Sequence, residues 1–134
     1  VDFAQAMQKK VSIPLMVTGG FRQHKVMAQA ITGGAADLIG IGRPMCVDTD
    51  APARLLSGEE TLNRYEDQLS LFPSALAFLE RIGSVRSIAG FAVQFWFYTQ
   101  LESLGRTGRA APETSVFAAA RSVMQAQKRW LKAR

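Results

Sequence analysis

The chain has one cysteine, Cys46, so it forms no internal disulfide, and a disulfide-stapled secreted scaffold is excluded. That usage points to a reducing, cytoplasmic setting. It has one histidine, His24, and without a His/Cys cluster it offers no three-ligand zinc site. It has no run approaching the roughly 20 apolar residues of a membrane span. The longest apolar-rich stretch, Ile88 to Leu101, is interrupted by Gln94 and Gln100. The opening residues, Val1-Asp2-Phe3-Ala4-Gln5, lack the basic start and apolar core of a signal peptide, and they lack an initiator methionine. The expectation is a processed chain or a segment of something longer. No repeat or low-complexity tract is present, and Ser57 lacks the G-x-S-x-G surroundings of a nucleophile elbow.

What is present suits ordinary globular structure. Of 134 residues, 48% are hydrophobic and 20% charged, which excludes a disordered or fibrous chain. The net charge of +5 is unevenly placed. Residues 1–80 hold 7 Lys+Arg against 9 Asp+Glu, whereas residues 81–134 hold 9 against 2. A basic half attracts nucleic acid or anionic surfaces when its charge is clustered. Here it is scattered, with nothing longer than the pair Lys128-Arg129, so the reading is a solvated surface and no nucleic-acid partner.

The first 60 residues alternate between helix and strand patterns. Asp2 to Lys10 reads as helix, with Phe3, Ala6 and Met7 on one face and two lysines at the negative end of the dipole. Ile13-Pro14-Leu15-Met16-Val17-Thr18 reads as a strand buried on both faces and stopped by Gly19-Gly20. Arg22 to Thr32 reads as helix, with Val26, Met27, Ala30 and Ile31 on one stripe. Ala36 to Gly42 reads as a second buried strand, and Ala51 to Leu56 as a short helix stopped by Gly58, with Asp48 or Asp50 available as its cap. Connections this short make the two strands parallel neighbours with a right-handed crossover, the unit of a layered or barrel α/β fold. Two strands cannot form such a sheet alone, so the remaining strands are expected before Val1. Exposed sheet edges and apolar surface would then make the isolated chain aggregate, dimerise or stay a loose compact state.

Residues 61–134 read as helical. The expected helices are Leu69 to Ile82, broken by Pro73, then Ile88 to Leu104 and Ser115 to Ala133, with 105–112 as a loop. The division is therefore 1–60 for the α/β part and 61–134 for a helical extension. Phe91, Phe95, Trp96, Phe97 and Tyr98 occupy most of a helix circumference, which suits a helix packed against the α/β part or in a subunit interface. Shallow membrane docking, with Arg86, Arg106 and Arg109 at headgroups, is the alternative.

The chemistry is concentrated in Thr18-Gly19-Gly20-Phe21-Arg22 and Gly40-Ile41-Gly42-Arg43-Pro44. Each follows a strand, and parallel neighbours end at the same sheet edge about 4.8 Å apart. Glycines admit close backbone approach, and a helix beginning near Arg22 turns free N–H groups toward the same spot. Arg43 adds a fork of donors that suits a phosphate, or pairs with Asp37 or Asp48. Gly19, Gly20, Gly42 and Arg43 are thus the candidate cofactor-binding residues, most simply for a phosphate monoester. His24 and Cys46 read as an exposed helix residue and a small apolar filler.

At these residues the chain resembles the end of an old yellow enzyme. The likeness runs through Ile13 to Arg22, Ala36 to Met45 and Asp50 to Gly58, and covers roughly residues 3–60. The resemblance implies a (β/α)8 TIM barrel, with these strands as barrel strands 7 and 8. It implies that Gly19, Gly20, Gly42 and Arg43 hold the phosphate of FMN. It also implies an activity, in which NADH or NADPH reduces the flavin and the flavin passes a hydride to an electron-poor alkene or similar small-molecule acceptor. The substrate-gripping and proton-donating residues of that family lie on earlier strands, so no catalytic residue is assigned and the chain alone is expected to be inactive. The rival reading is a non-catalytic remnant whose basic, aromatic helical half binds a partner or a membrane surface.

Overall fold

The computed structural model describes residues 2–73, 76, 78 and 82–133. The chain divides into two compact units, Val1–Arg64 and Tyr65–Arg134.

The first unit is built from α1 (Asp2–Gln8), β1 (Met16–Thr18), α2 (His24–Thr32), β2 (Leu38–Gly40), a 3-10 turn (Arg43–Cys46) and α3 (Ala51–Leu56). The strands pair in parallel, with Met16 opposite Leu38, Val17 opposite Ile39 and Thr18 opposite Gly40. The side-chain period of 2 sorts these pairs by face. Val17 and Ile39 lean on a core of Phe21, Met27, Ala30, Ala51, Leu55 and Leu62. The adjoining pair points the other way and is open, with Met16 63% and Leu38 51% exposed. The expectation of strands buried on both faces is therefore corrected. The described residues of this chain cover one face of the sheet only.

Other expectations shift with the packing. α1 ends at Gln8, leaving Lys9 and Lys10 in a turn, and Phe3 is exposed. α2 begins at His24, and its buried face is Met27 and Ala30, with Val26 and Ile31 partly exposed. Asp50 is the N-cap residue of α3 but makes no capping hydrogen bond. Its carboxylate faces Arg54, which also pairs with Asp48 at 3.1 Å and Glu59 at 3.1 Å. Residues 60–62 lie antiparallel to 22–24, through the His24 N–H on the Glu60 carbonyl (2.9 Å) and the Leu62 N–H on the Arg22 carbonyl (2.8 Å). Leu62, 1% exposed, thereby completes the core of the first unit.

The second unit holds a 3-10 turn (Tyr65–Asp67), α4 (Gly83–Thr107) and α5 (Val116–Lys132), the two long helices packing on each other. Leu69 to Pro73 are bend and coil instead of helix. The rest of that expected helix, up to 81, falls largely outside the described residues. α4 runs on through Gly105 to Thr107 and ends at Gly108, whose φ of 73° is the left-handed cap of a helix terminus. The loop is accordingly shorter than 105–112 suggested. Ser115 caps α5, its hydroxyl accepting the Ala118 N–H at 3.2 Å.

Two polar anchors on α4 set where α5 starts. The Trp96 indole N–H donates to the Thr114 carbonyl at 2.7 Å, and the buried Gln100 side-chain carbonyl accepts the Ala111 N–H at 2.8 Å. Trp96 is 1% exposed and meets Phe97 edge-on at 5.1 Å and Tyr65 at 6.0 Å. Only part of the aromatic ring of α4 is covered by these contacts. Phe91 and Tyr98 are 70% and 52% exposed. Trp96→Ala is expected to destabilise this unit by about 3–5 kcal/mol through cavity formation. Trp96→Phe, which mainly forfeits the hydrogen bond, should cost about 0.5–1.5 kcal/mol. Urea unfolding followed by helical circular dichroism separates the two.

Candidate anion-binding site

Both glycine loops leave the same edge of the sheet, because β1 and β2 are parallel and in register to their last residues. Thr18 to Arg22 and Gly40 to Arg43 together line one cleft of about 170 Å³. Gly19 has φ 148° and Gly20 φ 71°, values that L side chains rarely adopt. Among the described residues, no atom lies within 4 Å of where a Cβ would stand on Gly19, Gly20 or Gly42. Gly42 has φ −104°, so its backbone does not itself demand glycine. The space over its backbone is open.

Arg43 opens the 3-10 turn, which is pinned by the buried Pro44 and by the Met45 N–H donating to the Gly42 carbonyl at 2.9 Å. The backbone of Arg43 is held in place, and its side chain is exposed at the cleft. All four expected residues, Gly19, Gly20, Gly42 and Arg43, line this one cleft.

The contribution of α2 differs from expectation. Its first amide, on His24, donates to the Glu60 carbonyl. Arg22 precedes the N-cap residue Gln23, is buried, and folds back so that its Nη1 donates to the Phe21 carbonyl at 2.8 Å. A second hollow of about 380 Å³ shares Thr18 to Arg22 with this cleft and is also lined by Thr61 and Arg64. Thr61 and Arg64 carry no local motif. They reach the glycine loop only because residues 60–62 pair with 22–24.

The carboxylates near the site have structural partners. Asp37 accepts the Leu15 N–H at 2.8 Å and the Gln8 amide at 2.6 Å. These two bonds, that from Gln8 first, hold its carboxyl below the usual carboxylate range. Asp48 accepts from Asn63 at 3.0 Å as well as pairing with Arg54. Asp37 stabilises the fold above the ordinary carboxylate pKa of about 4, and that contribution is lost as pH falls through its lower folded-state value. Asp37→Asn should therefore lower thermal stability at neutral pH and flatten its decline below about pH 4. Thermal unfolding of both proteins across that range checks this. Cys46 is half-buried, and burial pushes its thiol up, so it stays protonated at neutral pH. Among the described residues no group of His, Cys, Asp and Glu is arranged for a metal ion, and no helix is long and apolar enough to cross a membrane.

A parallel β-α-β unit thus brings two glycine loops and Arg43 together at one edge of its sheet. The chain's curated relatives are NADH-dependent flavin oxidoreductases, the old yellow enzyme-like class that its glycine loops resemble. It is 27% identical to the NADH-dependent flavin oxidoreductase iccE of Talaromyces variabilis over 110 residues, which is 81% of this chain and 27% of that protein. That length exceeds either unit, so the likeness takes in part of both. It is 40% identical over 62 residues to iliE of a Neonectria species and 38% identical over 61 residues to iliE of Hypocrea jecorina, both named NADH-dependent flavin oxidoreductases. These matches cover 46% and 45% of this chain and 8% and 15% of those proteins. The chain thus spans about a quarter or less of the length of the relatives it matches. No family model matches it, and no solved structure matches it significantly.

Proposed function

We propose that this chain is the phosphate-gripping end of an FMN-dependent oxidoreductase of the old yellow enzyme type, working in the cytoplasm. In this reading β1 and β2 are strands 7 and 8 of a (β/α)8 barrel, and the open face of the sheet, at Met16 and Leu38, packs in the remaining barrel. The observation that carries the reading is the cleft in which Gly19, Gly20, Gly42 and Arg43 meet, with open space over all three glycines. Barrels of this architecture often place a phosphate at the loops after strands 7 and 8.

The donor set fits FMN. Backbone N–H groups and a guanidinium suit a dianionic phosphate, and a cleft of about 170 Å³ has room for a phosphate and little more. The flavin ring must then lie outside it. When bound, FMN supplies hydride transfer between a nicotinamide, NADH or NADPH, and a small electron-poor acceptor. The part of this chain is to anchor the cofactor by its phosphate. The Gly19 and Gly20 backbone can close on the oxygens because no Cβ intervenes, and Arg43 adds a charge-assisted donor. The experiment is titration of the 134-residue chain with FMN and with riboflavin, which lacks the phosphate. FMN should bind measurably tighter, and equal affinity would refute a phosphate anchor.

A further inference from the structure

Independently of the flavin reading, the second unit carries a site of a different kind. A hollow of about 610 Å³ lies along α4 and α5 and is walled by apolar side chains, chiefly Phe91, Phe95, Phe117 and Met124. That volume is in the range of small-molecule sites. Its rim is cationic. Arg121 and Lys128 stand seven residues apart on α5, with Met124 between them on the same face, since residues three, four and seven apart share one side of a helix. No carboxylate lines the hollow among the described residues, and α5 itself contains neither Asp nor Glu over its whole length.

The inner wall is fixed while the outer wall stays open. Ala92 and Ala119 are buried where the helices meet, and the Trp96–Thr114 bond holds the start of α5. Phe91 and Phe117 remain 70% and 63% exposed and Met124 53% exposed, so a slot is left between rigid elements. Exposed aromatic and methionine side chains beside a hollow are surface that an apolar ligand would remove from water.

We propose that this hollow binds an amphipathic anion with one long hydrocarbon chain, of the class of fatty acid carboxylates. The chain lies along Phe91, Phe95, Phe117 and Met124, and the carboxylate sits between Arg121 and Lys128. Charge complementarity selects an anion over a neutral lipid. The concave shape selects a single chain over a bilayer, against which a helix would present a convex apolar face.

The probe is cis-parinarate, a fluorescent 18-carbon polyene carboxylate, titrated into the 134-residue chain below its micelle concentration and then displaced by saturated carboxylates. Four results are expected. Displacement should weaken by roughly tenfold for each two carbons removed from the competitor. Hexadecanol, with no charge, should compete on the order of tenfold less well than hexadecanoate. Arg121→Ala with Lys128→Ala should remove that preference and leave hexadecanol binding unchanged. Ala120→Trp, which fills the hollow from α5, should abolish probe binding while helical circular dichroism is retained. No binding, no dependence on chain length or charge, unaltered binding by Ala120→Trp, or association only with anionic vesicles and not with monomeric probe would each overturn the proposal. So would a stable dimer that excludes the probe, because the hollow would then be a contact between two copies.

Discussion

Arg43→Ala is expected to weaken FMN binding by about ten- to a hundredfold and to leave riboflavin binding unchanged. The substitution removes a charge-assisted hydrogen bond of roughly 1.5–3 kcal/mol, and about 1.4 kcal/mol corresponds to one decade in affinity. Riboflavin has no phosphate, so it has no partner group to lose. Gly42→Ala should act in the same direction through a different route. Its φ of −104° and the open space beside it mean that the protein tolerates a Cβ, so thermal stability should hold while phosphate approach is blocked. Equal losses for FMN and riboflavin would assign Arg43 to folding. No loss for either would place the phosphate elsewhere.

The largest effect on the first unit is expected at Gly40, the last residue of β2. In the parallel register Gly40 lies opposite Thr18, and a Cβ at Gly40 would collide with the Thr18 hydroxyl and stand 3.1 Å from its Cβ and 3.4 Å from the Met16 sulfur. Thr18 is β-branched, so of its three χ1 rotamers only the one that turns its Cβ hydrogen toward Gly40 relieves the clash, and its Cβ stays close. Gly40→Ala should cost about 1–3 kcal/mol as an overpacking change, and Gly40→Val more. A small domain holds only about 5–15 kcal/mol in total. The strands around Gly40 should therefore lose amide protection in hydrogen exchange before any other part of residues 2–64. Pairing the substitution with Thr18→Ala removes the clashing hydroxyl and should restore part of the loss. Unchanged protection in Gly40→Ala would show that the strand ends are looser than their register implies.

Much of the fold was legible in residue order because its causes are local. Apolar runs bounded by glycine pairs marked both strands, their short connection forced them parallel, and the stripe of small and apolar residues marked α5. The convergence of Gly19, Gly20, Gly42 and Arg43 followed from that topology alone, since parallel neighbours end at one edge. Three matters needed tertiary structure. The exposure of Met16 and Leu38 depends on which elements cover the sheet, and no window of sequence contains that. Arg22, Thr61 and Arg64 gained their places through backbone pairing between residues 60–62 and 22–24, across a separation that no local pattern spans. The open slot beside Phe91 and Phe117 arose because α5 meets α4 through Trp96, Ala92 and Ala119, which occupies one side of a helix that is apolar nearly all round. Periodicity shows that such a helix has apolar surface on every side. Only the packing decides which of those sides are left for a ligand.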